Sequence, residues 1–243
     1  MQTDGIDPFQ FLRSLSFFSK VSVRDLESLA YSCQLGQIAA GEYLFMEGEE
    51  EPYSSFVVVS GRVAMLKSSM SGKELIVQLL EAADVFSLLL LLEGEGQAVQ
   101  LSAKAMSATT VLWVPVAQFR SVLHGHPGLF RELMANLLST LQTSYRLCLG
   151  LAHDHVDVRI ATALSTLAQK IGRSDGSSSN EISQGYTVNL TRQQLADLTG
   201  TTSETAIRVT RAMHKQGLLD IRRPGVIRIP SLKLLEEVAQ GWT

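Results

Sequence analysis

Glu204, Arg208, Arg211 and Lys215 follow one another at steps of four, three and four residues. On a helix that spacing puts all four on one face. An arginine in such a place can donate two hydrogen bonds to O6 and N7 of guanine, and a carboxylate can accept from the N4 amine of cytosine. Arg211 and Lys215, further along the same face, suit phosphates. The Glu204–Arg208 pair is equally the spacing of a surface ion pair worth a few tenths of a kcal/mol. A second basic point is Arg222-Arg223, just before Pro224-Gly225. At a turn, these two arginines would meet backbone phosphate.

The surrounding residues predict the elements that would position this face. Val188–Leu190 reads as a short strand. Thr191 is a natural N-cap, with Gln194 three residues on to close a capping box. Leu195 and Leu198 form the buried stripe of the helix that follows. Gly200 stops it in the left-handed position. Thr201, Thr202 and Ser203 offer caps for a second helix, Glu204–Gln216, with Ala206, Ile207, Val209 and Met213 apolar and Gly217 at its end. Helix, Gly-containing turn, helix is the helix-turn-helix pattern. Leu218–Arg223 and Val226–Ile229 then read as strand, turn and strand, a wing with its basic residues at the tip. A closing helix, Leu232–Ala239, completes a winged helix-turn-helix.

The rest of the chain has a different texture. Residues 8–32 carry Phe9, Leu12, Leu15, Phe18, Leu26, Leu29 and Ala30 at helical spacing, broken around Ser19–Ser22, where Ser22 can cap the second piece with Asp25, three residues on, in the reciprocal acidic role of a capping box. From Gln34 to Val116, short apolar segments alternate with glycine and acidic turns. Tyr43–Met46, Ser55–Val59, Arg62–Lys67, Leu75–Leu80, Ala98–Ala105 and Thr110–Val114 predict an antiparallel sandwich or barrel, with Ser71-Gly72 as a hairpin turn. Pro127 opens a helix that meets no breaker until Gly150. Phe130, Met134, Leu137, Leu141, Ser144, Cys148 and Leu151 step along it by four and three, the a/d seam of a coiled coil. Such a seam either meets a second copy or packs within its own chain. His153-Asp154-His155 predicts a bend, Val156–Ile171 another helix, and Gly172–Gly185 a loop rich in Gly, Ser and Asn.

Composition bounds the answer. The 243 residues allow one large domain or two small ones. A hydrophobic fraction of 45% and a charged fraction of 19% exclude global disorder. The longest aliphatic run, Leu88–Leu92, is far short of the ~18–20 apolar residues of a membrane span. The first residues lack the basic and apolar regions of a secretory signal, and two cysteines are no disulfide framework, so a cytosolic protein with no membrane partner is expected. The net charge of −3 conceals a split. Residues 1–156 hold 10 basic against 16 acidic residues, and residues 157–243 hold 11 against 8. Two domains with different partners follow: an acidic one and a basic one facing nucleic acid.

These motifs together resemble the bacterial CRP/FNR family of transcription regulators, over almost the whole chain. Phe-x-x-Leu-x-x-Phe-Phe near the N-terminus, Gly41–Gly48 and Phe56–Val63 are similar to the family's opening helix and β-roll strands. Thr191–Ala196, Gly200 and Ser203–Arg208 resemble its DNA-binding signature closely. The resemblance implies an α+β protein: helices and an antiparallel β-roll, a jelly-roll of the cyclic-nucleotide-binding type, as sensor over 1–126; a dimerisation helix and hinge over 127–155; a winged helix-turn-helix over 156–243. It implies a homodimer that binds double-stranded DNA at an inverted repeat of TGA-like half-sites. Glu204 and Arg208 match the family's base readers, and Ser203 stands where cyclic-AMP-type members have one more base-reading Arg. Thr191, Arg192, Gln193, Thr202 and Thr205 match its capping and phosphate positions. The Gly172–Gly185 loop falls where activating members touch RNA polymerase.

By the same resemblance the effector pocket would involve Phe86, Ser87, Leu88, Leu89, Gln97 and Ala98. Here Ser87-Leu88 replaces the family's phosphate-cradling Gly-Glu, and Gln97-Ala98 its Arg-Ser. Without that Arg a phosphodiester lacks its charge-assisted partner, and Glu93 and Glu95 would repel it. A small-molecule effector other than a cyclic nucleotide is therefore expected, haem being one apolar example, with His124, His126, His153 and His155 as axial candidates. Cys33 and Cys148 fall short of the about four thiolates an iron–sulfur cluster needs. No metal site and no catalytic constellation is expected. Cys148 on the seam could form an interchain disulfide or serve as a small apolar residue. Two other readings fit the residues: a constitutive, effector-free regulator, and a ligand-binding module or barrel enzyme without DNA function.

Overall fold

Phe56-Val57-Val58-Val59 has no polar alternate, which a strand tolerates only when both its faces are covered. Both covers are visible in the computed structural model, which describes residues 5–49, 54–86, 100–171, 173–174 and 185–241. The strands of this part are β1 (Gln34–Ile38), β2 (Tyr43–Phe45), β3 (Ser54–Ser60), β4 (Arg62–Ser68), β5 (Glu74–Glu81), β6 (Val85–Phe86), β7 (Ser102–Ala105) and β8 (Thr109–Pro115). They form two four-stranded sheets, in the orders β1-β8-β3-β6 and β2-β7-β4-β5. The registered pairs are antiparallel, Phe56 facing Trp113 across β3 and β8, for example. Phe56, Val58 and Val111 point into the space between the sheets with Phe45, Val63, Met65, Leu80 and Ala103. The alternate residues Val57, Leu112 and Val114 point outward. There they are buried by helices α1 (Pro8–Ser14), α2 (Val23–Ser32), α3 (Val116–Gly125) and the start of α4 (Pro127–His153).

Three features depart from the sequence expectation. Strand β1 pairs along its whole length with β8. Its Gly36 reads as a breaker in the sequence, yet glycine is required, because a Cβ there would lie 2.5 Å from the Trp113 indole nitrogen. Helix α3 is a further addition; it starts directly after Pro115 and buries Phe119, Val122 and Leu123. Asp25 does not complete a capping box. Its backbone N–H donates to the Ser22 hydroxyl, while its carboxylate accepts from that hydroxyl at 2.7 Å and contacts His126 Nε2 at 2.8 Å. The Ser22 hydroxyl first, then His126, hold the Asp25 carboxyl below the usual carboxylate range.

Gly61 joins β3 to β4 at φ +88°, a left-handed conformation. An added Cβ would lie 2.6 Å from the Ala108 carbonyl and 2.7 Å from the Thr109 Cα, both backbone atoms that cannot swing away. Gly61→Ala is therefore expected to cost more than the ~1–2 kcal/mol of a left-handed residue alone. A urea melt reads this directly. An unchanged midpoint would show that the turn relaxes freely.

The chain divides into two compact units: Met1–Lys67 with Val77–Ser144, and Ser68–Ile76 with Tyr145–Thr243. Helix α4 begins at Pro127 as expected and runs 27 residues. Leu129 and Leu133 are fully buried. Beyond them an apolar face is left uncovered in the single chain, with Phe130 46%, Leu141 46%, Leu138 60%, Tyr145 61% and Leu149 62% exposed. With Leu151, also exposed, six large apolar side chains are left to water on this helix, which is unusual for a monomer surface.

In the second unit, α5 (Val156–Ile171) and α8 (Leu232–Ala239) occupy the expected residues. Strands β9 (Arg173–Ser174), β10 (Tyr186–Asn189) and β11 (Val226–Ile229) form a small sheet of order β11-β10-β9. The start of the expected loop thus holds a two-residue strand. The wing is also corrected. Its first arm, Leu218–Arg223, is no strand but a single bridge between Asp220 and Arg228, and the ladder partner of β11 is β10.

Candidate nucleic-acid interface

Helices α6 (Arg192–Thr199) and α7 (Ser203–Lys215) are set by local chemistry. Thr191 Oγ1 accepts from the Gln194 N–H at 3.1 Å, and Gln194 Oε1 accepts from the Thr191 N–H at 2.9 Å, a complete capping box. Gly200 ends α6 at φ +60°. A Cβ there would also collide with the Leu151 side chain, so Leu151, expected on the seam, also packs on the turn between the helices. Arg159 reinforces this turn, its Nε donating to the Thr199 carbonyl and Nη1 to the Asp154 carbonyl, both at 2.9 Å. Thr202 caps α7, accepting from the Thr205 N–H at 3.2 Å.

Helix α7 buries Ala206, Thr210 and Met213 against the unit's core. The opposite stripe carries Glu204, Arg208, Arg211 and Lys215, all exposed. No ion pair joins Glu204 to Arg208 among the described residues. The bland account of their spacing, a surface salt bridge, is therefore not what the fold makes of them. Both side chains are left to contact something outside the chain.

Two expected contacts are used internally. The Ser203 hydroxyl donates to Gln193 Oε1, a short bond, and Gln193 Nε2 donates to Asp197 at 2.7 Å. Ser203 and Gln193 thus clamp α6 to α7, a pairing ten residues apart that no local signal announces. Arg192 is half-buried, and its Nη1 is buried without an acceptor among the described residues. Burial, then the neighbouring Arg211, lowers its pKa from the usual arginine value. An unsatisfied guanidinium nitrogen beside a second arginine is a place made for an anion. At the wing, Arg223 is exposed, while Arg222 is forked onto the Asp220 carboxylate.

In the sensor part, Phe86 packs with Phe45 and Phe56, ring centroids 5.7 and 5.1 Å away. Ser87, Leu88, Leu89, Gln97 and Ala98 lie outside the described residues, as do Glu93, Glu95 and most of 172–185. His126 is engaged with Asp25; His124, His153 and His155 are exposed at helix ends. Cys33 is half-buried, with burial pushing its thiol up to about 12, and Cys148 is exposed on α4. No described helix is long and apolar enough to cross a membrane.

Residues 158–238 match the family model described as Crp-like helix-turn-helix domain, and residues 35–126 match the cyclic nucleotide-binding domain model. The cAMP-activated global transcriptional regulator CRP of Escherichia coli is 27% identical over 194 residues, 80% of this chain and 89% of that one. This chain belongs to the CRP/FNR family of transcription regulators. The transcriptional activator protein anr of Pseudomonas aeruginosa is 26% identical over 217 residues, 88% of this chain and 84% of that one. A crystal structure of a CRP/FNR-family transcriptional regulator from Thermus thermophilus shares the fold with a TM-score of 0.68 at 22% identity, covering 85% of this chain and 98% of that one. As a family member the protein is a DNA-binding regulator with a cyclic-nucleotide-binding-type β-roll, not an enzyme.

Proposed function

We propose that the protein acts in the cytoplasm as a homodimer that reads an inverted repeat of TGA-like half-sites. Glu204 and Arg208 read a C·G pair from the exposed stripe of α7. Arg192 and Arg211 take one phosphate between them, flanked by the capped positions Thr191, Thr202 and Thr205. Lys215 and Arg223 take others, while Arg222, expected from the sequence to do the same, is held by the Asp220 carboxylate. Ser203 and Gln193 position the two helices against each other rather than reading bases. The single observation that carries this reading is the buried Arg192 Nη1 without an acceptor, beside Arg211.

The uncovered apolar face of α4, with the expected seam residues Phe130, Met134, Leu137, Leu141, Ser144, Cys148 and Leu151, supports pairing with a second copy. A two-fold dimer would set its recognition helices about 34 Å apart, in successive major grooves. The effector is a small molecule other than a cyclic nucleotide. The relative from Escherichia coli is cAMP-activated by name, but this sequence has Gln97-Ala98 where an Arg would hold the phosphate. Haem is not assigned, since His126 is bound to Asp25 and the other three axial candidates are exposed at helix ends. The named activator among the relatives supports RNA polymerase as a partner.

The test is a binding comparison at physiological salt, with and without the small-molecule fraction of a bacterial extract. An inverted TGA repeat with half-sites one helical turn apart is expected to bind at least about 10³-fold tighter than a scrambled duplex. Equal affinity in both conditions would overturn the half-site reading.

A further inference from the structure

The two wing arginines are in different states. The Arg223 side chain donates to no described acceptor and stands exposed. The Arg222 guanidinium closes on Asp220, Nε donating to Oδ1 and Oδ2 at 3.0 Å each and Nη2 to Oδ2 at 2.5 Å. The Arg222 backbone N–H adds a further bond to Oδ1 at 3.1 Å. Asp220 is the anchored partner. Its N–H donates to the Arg228 carbonyl at 2.7 Å, and its carbonyl accepts from the Arg228 N–H at 2.8 Å. Its side chain is 19% exposed, whereas that of Arg222 is 80% exposed. A fixed carboxylate therefore holds a guanidinium that otherwise stands in solvent, at the tip of the element expected to touch DNA.

We propose that Asp220 is an intramolecular stand-in for a DNA phosphate, filling the fork of Arg222 and so setting how much the wing contributes to DNA binding. A carboxylate and a phosphate present the same pair of oxygens to an arginine fork. While Asp220 occupies it, the pair is neutral as a unit and adds no cation to the interface. Removing the carboxylate's charge releases Arg222 to a phosphate, and each phosphate newly neutralised on DNA expels about one condensed counterion. This inference rests on the winged helix meeting DNA and is independent of the half-site assignment.

Salt dependence on a random-sequence duplex tests it, since the slope of log affinity against log salt counts phosphate contacts, at about 0.9 each on duplex DNA. Asp220→Asn is expected to steepen the slope by about one contact, Arg222→Gln in the otherwise native chain to leave it unchanged, and the double variant to match the native slope. Arg192→Gln serves as the control and should flatten it by about one contact. A flatter slope for Arg222→Gln alone would overturn the proposal, because Arg222 would already be on a phosphate. So would a double variant that keeps the steeper slope, because the gain would then be bulk charge. An Arg192→Gln variant without effect would instead count against the DNA face itself. Thermal melts of each variant check the wing's fold; if Asp220→Asn unfolds, the Arg222→Gln slope decides alone.

Discussion

Arg208→Ala is expected to weaken binding to the cognate repeat by about 1–3 kcal/mol per half-site while leaving the fold intact. The side chain is exposed, has no partner among the described residues and sits on the stripe of α7 opposite Ala206, Thr210 and Met213. Its loss should fall on the discrimination between guanine and other bases, so the ratio of cognate to scrambled affinity should shrink by roughly 5- to 150-fold per half-site. Titrations on both duplexes at one salt concentration read that ratio. An equal loss on the two would move Arg208 from the bases to the phosphates. The neighbouring Arg211 provides the contrast: it lies beside the half-buried Arg192, and its replacement should cost affinity alike on every sequence.

The second large effect is expected at the seam. Leu141 is 46% exposed on α4, close to Leu138 at 60% and Tyr145 at 61%. Leu141→Glu would set two carboxylates against each other wherever two copies pair along this face, at a cost of several kcal/mol for the buried charges. Sedimentation should show a monomer. Specific DNA affinity should fall by about 10³-fold or more, since one half-site supplies only half of the contacts. A monomer's helix would tolerate the change, because the position faces water in the single chain. A variant that sediments like the native protein would place the dimer interface elsewhere.

Much of the DNA-binding unit was legible in the sequence because its elements are defined locally. Thr191 and Gln194 cap each other three residues apart, and Gly200 stops α6 where only a left-handed residue fits. The ends of α5 and α8 also fall on the expected residues. What stayed hidden was decided by tertiary partners. Strand β1 carries a glycine that looks like a breaker until the Trp113 indole is placed against it. The first arm of the wing has a strand's composition, but it meets β11 only through the Asp220–Arg228 bridge, while the ladder partner of β11 is β10. Ser203 resembles a base-facing position by alignment, yet its hydroxyl is engaged by Gln193 from the preceding helix. Asp220 carried no signal beyond one acidic residue near two arginines. For the sensor, Phe86 is in place within an aromatic cluster, while the pocket segment that follows lies outside the described residues.

That aromatic cluster also has an optical side. The chain has two tryptophans, Trp113 and Trp242. The Trp113 indole meets the Phe56 ring edge-on at 5.5 Å, and Phe56 in turn lies 5.1 Å from Phe86, the last described residue before the segment that would line the effector pocket. With Trp242→Phe, the tryptophan emission of the protein would arise from this one indole. Its wavelength and intensity would then gauge the packing of this cluster between the sheets, without a dye or a label.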